Sequence, residues 1–163
     1  MDFIYIGKIV STHGIKGEIK IISNFDYKSI VFKSGINIYI GNNKLKETIV
    51  TYRHHKNYEM ITLEGYNNIN EVLKYIGEKV YILKSEIEEL NEKITKQELI
   101  GFDAYLSDTK IGIINDIYST GNNYEVVEII KLDGKKALAP YSLIDKIDTE
   151  KKHVIFKGGI IDA

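Results

Sequence analysis

The sequence predicts a mostly β protein: two small β-barrels joined by a short charged linker, with one short helix in the first barrel. Three observations carry this. Apolar runs are short, rich in Ile and Tyr, and separated by Gly and Asn, the pattern of strands and tight turns. The period turns helical only once, after Asn68. A mostly charged stretch, residues 84–98, then interrupts the strand pattern before it resumes. The expected division is a first barrel over residues 1–84, a linker over 85–96 and a second domain over 97–163.

Phe3 to Val10 reads as a largely buried strand. Glu18 to Ser23 alternates, which puts Ile19 and Ile21 on one face and Lys20 and Ile22 on the other. Ile36 to Ile40 alternates again and ends at a Gly41-Asn42-Asn43 turn. Lys44 to His54 and Tyr58 to Leu63 continue the series. Ile69, Val72, Leu73 and Ile76 then recur at helical spacing, with Asn68 as N-cap and Gly77 at the stop, which predicts a helix over about 69–75 that plugs one barrel end. Glu78 to Leu83 returns to strand. Beyond the charged stretch, strands are expected at residues 102–106, 111–114, 124–131, 137–141 and 154–156. The turns between them include Gly121-Asn122-Asn123 and a two-residue type I′ hairpin at Asp133-Gly134.

Composition narrows the chemistry. With 44% hydrophobic and 28% charged residues, the 163-residue chain can bury a core and reads as globular. Every apolar run is too short to span a bilayer, and Met1-Asp2-Phe3 lacks the basic flank of a signal peptide. The absence of Cys removes disulfides, thiolate catalysis and cysteine metal sites together, and fits a cytoplasmic protein. Residues 1–84 hold 12 Lys and Arg against 8 Asp and Glu; residues 85–163 hold 10 against 15. The first part therefore suits an anionic partner and the second a cationic one.

No motif of phosphate-loop, dinucleotide or nucleophile-elbow type occurs. His54 and His55 are adjacent on a predicted strand and face opposite ways, so no metal site is expected. Glu86, Glu88, Glu89 and Glu92 form a solvated run, without the pocket that acid–base catalysis needs. Arg53 is the one Arg among 22 basic residues, which argues against base-specific recognition and leaves loose Lys–phosphate contact open. No cofactor and no catalytic residue is expected. The stretch Thr12-His13-Gly14-Ile15-Lys16-Gly17 joins two strands and presents Lys16 at its tip. Its Gly-x-x-Gly spacing is similar to a KH loop, but a KH loop joins helices. On the residues alone it is a plain hairpin turn or a docking loop.

That stretch closely resembles the opening of the RimM family of small-subunit maturation factors. A second resemblance follows in order: Glu98-Leu99-Ile100-Gly101-Phe102, then Gly112, Thr120-Gly121-Asn122-Asn123 and Leu138-Ala139-Pro140-Tyr141, which is similar to the PRC-barrel half of those proteins. The resemblance implies a non-catalytic ribosome maturation factor, cytoplasmic and monomeric, that assists rRNA processing and assembly. Its implied partners are the small-subunit precursor with its rRNA and a basic ribosomal protein of the subunit head, with no membrane. It implies ribosome or RNA contact at Thr12, His13, Gly14, Lys16 and Gly17; ribosomal-protein contact is expected, from apolar docking with acidic steering rather than from the resemblance, at Ile94, Leu99 and Tyr105 with Glu98 guiding the approach. The aromatic pair that family members carry just before the second motif is replaced here by Ile94 and Thr95. The rival readings are a small hydrolase using carboxylates and His13, and a stand-alone PRC-type interaction module.

Overall fold

The computed structural model describes residues 2–121 and 124–162. The chain divides into two compact units, Met1–Lys93 and Ile94–Ala163. In the first, β1 (Phe3–His13), β2 (Glu18–Ile22), β3 (Asn37–Ile40), β4 (Leu45–His55), β5 (Tyr58–Leu63) and β6 (Lys79–Leu83) close into a barrel in the order β1-β2-β5-β4-β3-β6. All its ladders are antiparallel. The alternation legible in the sequence fills the interior: Ile4, Ile6, Ile9, Ile19, Ile21, Ile38, Ile40 and Ile61 all belong to one buried cluster. Each such side chain contributes roughly 1.5–3 kcal/mol relative to leaving it in water.

The expected helix is a single α-turn, α2 (Ile69–Val72), continued by a 3₁₀ turn over Leu73–Tyr75. Asn68 caps it as predicted. Its Oδ1 accepts from the Glu71 amide at 3.3 Å, and the Asn68 amide donates to Glu71 Oε1 at 3.1 Å, a closed capping box. Val72 and Tyr75 enter the barrel core, whereas Leu73 and Ile76 stay exposed, because the change to 3₁₀ winding rotates the apolar stripe. A further helical turn, α1 (Lys28–Val31), precedes β3 and sends Val31 and the adjoining Phe32 into the same core.

The charged stretch expected to be a linker over residues 85–96 is divided between the two units. Residues 84–90 form two 3₁₀ turns, Lys84–Glu86 and Glu88–Leu90. Ile87 and Leu90, three residues apart, are both buried in the first core. Tyr39 donates to Glu86 at 2.7 Å, and Lys33 Nζ lies 2.5 Å from Glu89. Two apolar anchors hold a segment whose composition reads as solvated. The consequence for charge is large. Counted by the structural boundary, Met1–Lys93 has 13 basic against 12 acidic residues, and Ile94–Ala163 has 9 against 11. The acidic run belongs to the basic unit, so the charge contrast expected between the halves nearly vanishes.

The second unit is a seven-stranded sheet. It contains β7 (Asp103–Leu106), β8 (Thr109–Thr120), β9 (Tyr124–Lys131), β10 (Lys136–Pro140), β11 (Ile144–Asp148), β12 (His153–Phe156) and β13 (Ile161–Asp162), in the order β11-β12-β7-β8-β9-β10-β13. The β12–β7 ladder is parallel. Among the described residues no ladder joins β11 to β13. Leu99, Ala104, Ile114, Val127, Ile129, Val154 and Phe156 form its own core. The hairpin at Asp133-Gly134 has three residues rather than two: the Lys131 amide donates to the Lys135 carbonyl and the Gly134 amide to the Lys131 carbonyl, each at 2.8 Å. Gly134 is in the left-handed region and Asp133 is not, whereas a type I′ turn needs both. In the expected Gly121-Asn122-Asn123 turn, Asn122 and Asn123 lie outside the described residues.

Candidate functional site

The turn between β1 and β2 is fixed from both sides. Ile69 of α2 donates its amide to the Ile15 carbonyl at 2.9 Å. Gly17, with φ +88°, packs so closely on Asn68 that a Cβ would sit 2.9 Å from its carbonyl oxygen. Gly17, expected to be a contact, is instead buried and holds the turn in place. Gly14 faces open space, and its φ of +73° lies in the left-handed region that Gly adopts without strain. Ile15 is 81% exposed. His13, Gly14 and Lys16 are exposed, Thr12 is half-buried, and no ion pair engages Lys16 among the described residues. A rigid scaffold thus presents a protruding apolar residue next to a free ammonium group.

The turn continues into an outer sheet face that sequence reasoning missed. Ile19 and Ile21 point inward, so Glu18 and Lys20 point out. His13 pairs with Glu18 across β1–β2. Lys20, Met60 and Arg53 lie in one row across β2, β5 and β4, and His55 pairs with Tyr58 in the next row. Arg53 Nε donates to Glu18 Oε2 at 2.8 Å and its terminal nitrogen to Oε1 at 2.7 Å, a bidentate clamp. Arg53's hydrogen bond holds the Glu18 carboxyl below its usual value, with His13 and His55 adding to the effect. Lys20 Nζ stands 5.1 Å over the Tyr58 ring. The signal was present in the period-2 placement of Arg53 and His55, but only the register brings them beside Lys20 and His13.

Directly behind this face, Glu59 points inward and is 1% exposed. It accepts from Tyr52 at 2.7 Å and lies 3.0 Å from His54 Nδ1. Burial first, then the bond to Glu59, pushes the Tyr52 hydroxyl up to about 12.

The second expected contact region lies in the unit Ile94–Ala163. Leu99 is wholly buried in that unit's core, so it is removed from the expected contact set, and its neighbour Ile100 is the exposed apolar residue. Thr95 is 1% exposed and caps the 3₁₀ turn Lys96–Leu99. Its amide donates to Glu98 Oε1 at 2.9 Å and its Oγ1 accepts from the Glu98 amide at 3.3 Å. The half-exposed Glu98 carboxylate is thereby engaged by Thr95, three residues earlier. Ile94 packs partly on the core. Tyr105 on β7 stays half-buried, its ring 4.4 Å from that of His153, with Asp103 between Lys110 (3.2 Å) and His153 (3.9 Å).

The family model described as the RimM N-terminal domain matches residues 4–87. A protein named ribosome maturation factor RimM from an Exiguobacterium species is 38% identical over 170 residues, spanning 99% of this chain and 98% of its own. One of the same name from Ligilactobacillus salivarius is 39% identical and spans 96% of each chain. Among solved structures, a RimM protein from Pseudomonas aeruginosa covers 96% of this chain at 22% identity with a TM-score of 0.43. The N-terminal domain of RimM from Thermus thermophilus covers 56% at 14% identity with a TM-score of 0.47.

Proposed function

The chain belongs to the RimM family, and from that premise we propose that it is a non-catalytic maturation factor for the small ribosomal subunit, acting as a cytoplasmic monomer without a cofactor. The observation that carries this is the extent of the match: relatives named as ribosome maturation factors align with nearly the whole chain, both units included. The first barrel approaches the immature subunit through the turn at residues 12–17, where Ile15 and Lys16 are exposed side by side. The second unit docks on a basic ribosomal protein of the subunit head through Ile94, Ile100 and Tyr105. Docking there is apolar in the main, since the unit's net charge is small and Glu98 is engaged locally. Binding assists rRNA processing by mass action: the factor favours one conformation of the head to the extent that it binds that conformation better. The test is co-sedimentation. The protein is expected with precursor small subunits and absent from mature ones; equal occupancy of both, or of neither, overturns the reading.

A further inference from the structure

Resting on the reading that this chain works on the immature small subunit, we propose that the outer face of the first barrel beside the glycine turn is a binding strip for the phosphate backbone of RNA. The strip consists of His13 on β1, Lys20 on β2, Arg53 and His55 on β4, and Lys56 in the turn that follows, set around Tyr58 on β5. Lys20 and Arg53 flank Met60 in register, so their Cα atoms stand about two strand spacings, roughly 10 Å, apart. Cations spread at strand intervals over a sheet surface follow an extended polyanion, and an aromatic among them gives a base a face to stack on.

Glu18 is the one carboxylate within this set, and it does not neutralise the face. It engages Arg53 through Nε and one terminal N–H, which locks the guanidinium plane and leaves three N–H groups unspent. A guanidinium held flat by a bidentate carboxylate is already oriented for a phosphate on its other edge. Arg53 therefore reads as positioned for a ligand, not merely paired.

The charges also repel one another. His55 lies below the usual imidazole range, from desolvation first and then from Arg53, Lys56, His13 and Lys20. Glu18 on β2 is the opposing charge that also faces this group, and Tyr58 on β5 is its partner in register. A polyanion laid across the strip relieves that repulsion and draws a proton onto His55. Binding consequently tightens as pH falls through the histidine range. An acidic protein surface would also meet the charge, but it would not give the steep salt dependence of counterion release from a nucleic acid.

The experiment uses the full chain and two probes: protein-free precursor small-subunit rRNA and intact precursor subunits. The double variant K20Q/R53Q is compared with K46Q, a neutralisation near the far end of β4, with thermal melting of each. For the double variant, RNA affinity at about 50 mM salt is expected to fall at least about tenfold and the log–log salt slope to shrink by about 1.4, two contacts at about 0.7 each. K46Q is expected to shift neither by a comparable amount. The wild-type affinity is expected to rise between about pH 7.5 and about pH 5.5, and H13Q/H55Q to flatten that rise. An unchanged slope and affinity in a folded K20Q/R53Q overturns the strip. Loss of subunit binding with RNA binding intact also overturns it, in favour of an acidic protein partner. Should the double variant fail to fold, the histidine pair decides: a pH profile identical to wild type overturns the proposal. A wild-type protein that binds naked rRNA through the strip yet ignores precursor subunits supports the strip and defeats the family-based reading, so the two failures are separable.

Discussion

Glu59 and Glu18 sit on neighbouring strands of one barrel, each hydrogen-bonded to a basic side chain, and they do opposite things. Glu59 is inside, sealed by Tyr52 with His54 at its rim. Glu18 is outside, clamped on an Arg53 that is itself half exposed. The difference follows from the pleat: Glu59 shares its face with Ile61, and Glu18 shares its face with Lys20. A buried carboxylate is useful only to the groups that seal it, because leaving a partner unsatisfied there is costly. A carboxylate at the surface contributes little to folding and can instead hold another side chain in place.

Removing each carboxylate tests this contrast, and the largest effect belongs to Glu59. Glu59→Ala leaves the Tyr52 hydroxyl without its acceptor and opens a void beside Ile61. The expected loss is about 3 kcal/mol, the sum of an orphaned polar group and a small cavity. In a unit of this size that lowers the melting midpoint by on the order of 10 °C. Glu59→Gln keeps the shape and an acceptor and is expected to lose clearly less. Equal losses in the two variants would mean that packing, not the hydrogen bond, is what Glu59 supplies.

The second unit carries a weaker version of the inward case. Thr95 and Glu98 close a capping box around one 3₁₀ turn, and the threonine is buried as it does so. Thr95→Ala is expected to cost about 1 kcal/mol, read as a small shift in urea midpoint with an unchanged slope. A shift near zero would place Thr95 with the surface residues and reopen Glu98 as an outward-facing group.

How much of this was legible depends on how local the signal is. The Asn68 cap and the period-2 strands were readable because one residue and its near neighbours determine them. The boundary was not. Ile87 and Leu90 lie among glutamates and look solvated until their place in the barrel core is known. The same limit hid the strip. Arg53 stands alone as an Arg in the sequence, and its significance lies in Lys20 and His13, which are far off along the chain and adjacent only through the ladders β1–β2–β5–β4. Leu99 and Ile100 show the complementary error: both are apolar, and only the fold decides that the first is core and the second exposed.

On the outer face, Glu18→Gln should alter stability little at neutral pH and change its pH dependence in a defined direction. Arg53 depresses the folded-state value of Glu18, so the ionised carboxylate stabilises the fold above its unfolded-state value, near 4.5. That contribution is lost as pH falls through the depressed folded value. The variant's stability curve is therefore expected to lie slightly below wild type at pH 7 and to converge with it in acid. Curves that diverge in acid would show that the pair with Arg53 is not what holds Glu18.

The smallest effect on folding, and the most pointed for function, is expected of Lys16→Glu. Lys16 is exposed at the tip of a turn whose shape is set by Gly14, Gly17 and the hydrogen bond from Ile69 to Ile15, none of which uses its side chain. Stability should change by less than about 0.5 kcal/mol, as for an ordinary surface substitution. Association with precursor subunits should nevertheless weaken, because the change puts a carboxylate where an approaching phosphate would meet an ammonium. The weakening should be greatest at low salt and fade as screening shortens the reach of both charges. Comparing this variant with K20Q/R53Q divides the face in two: a loss for Lys16→Glu alone confines the contact to the turn, and a loss for K20Q/R53Q alone confines it to the strip. Losses in both, smaller together than their sum in free energy, would mark the turn and the strip as one continuous surface reading the same stretch of ligand.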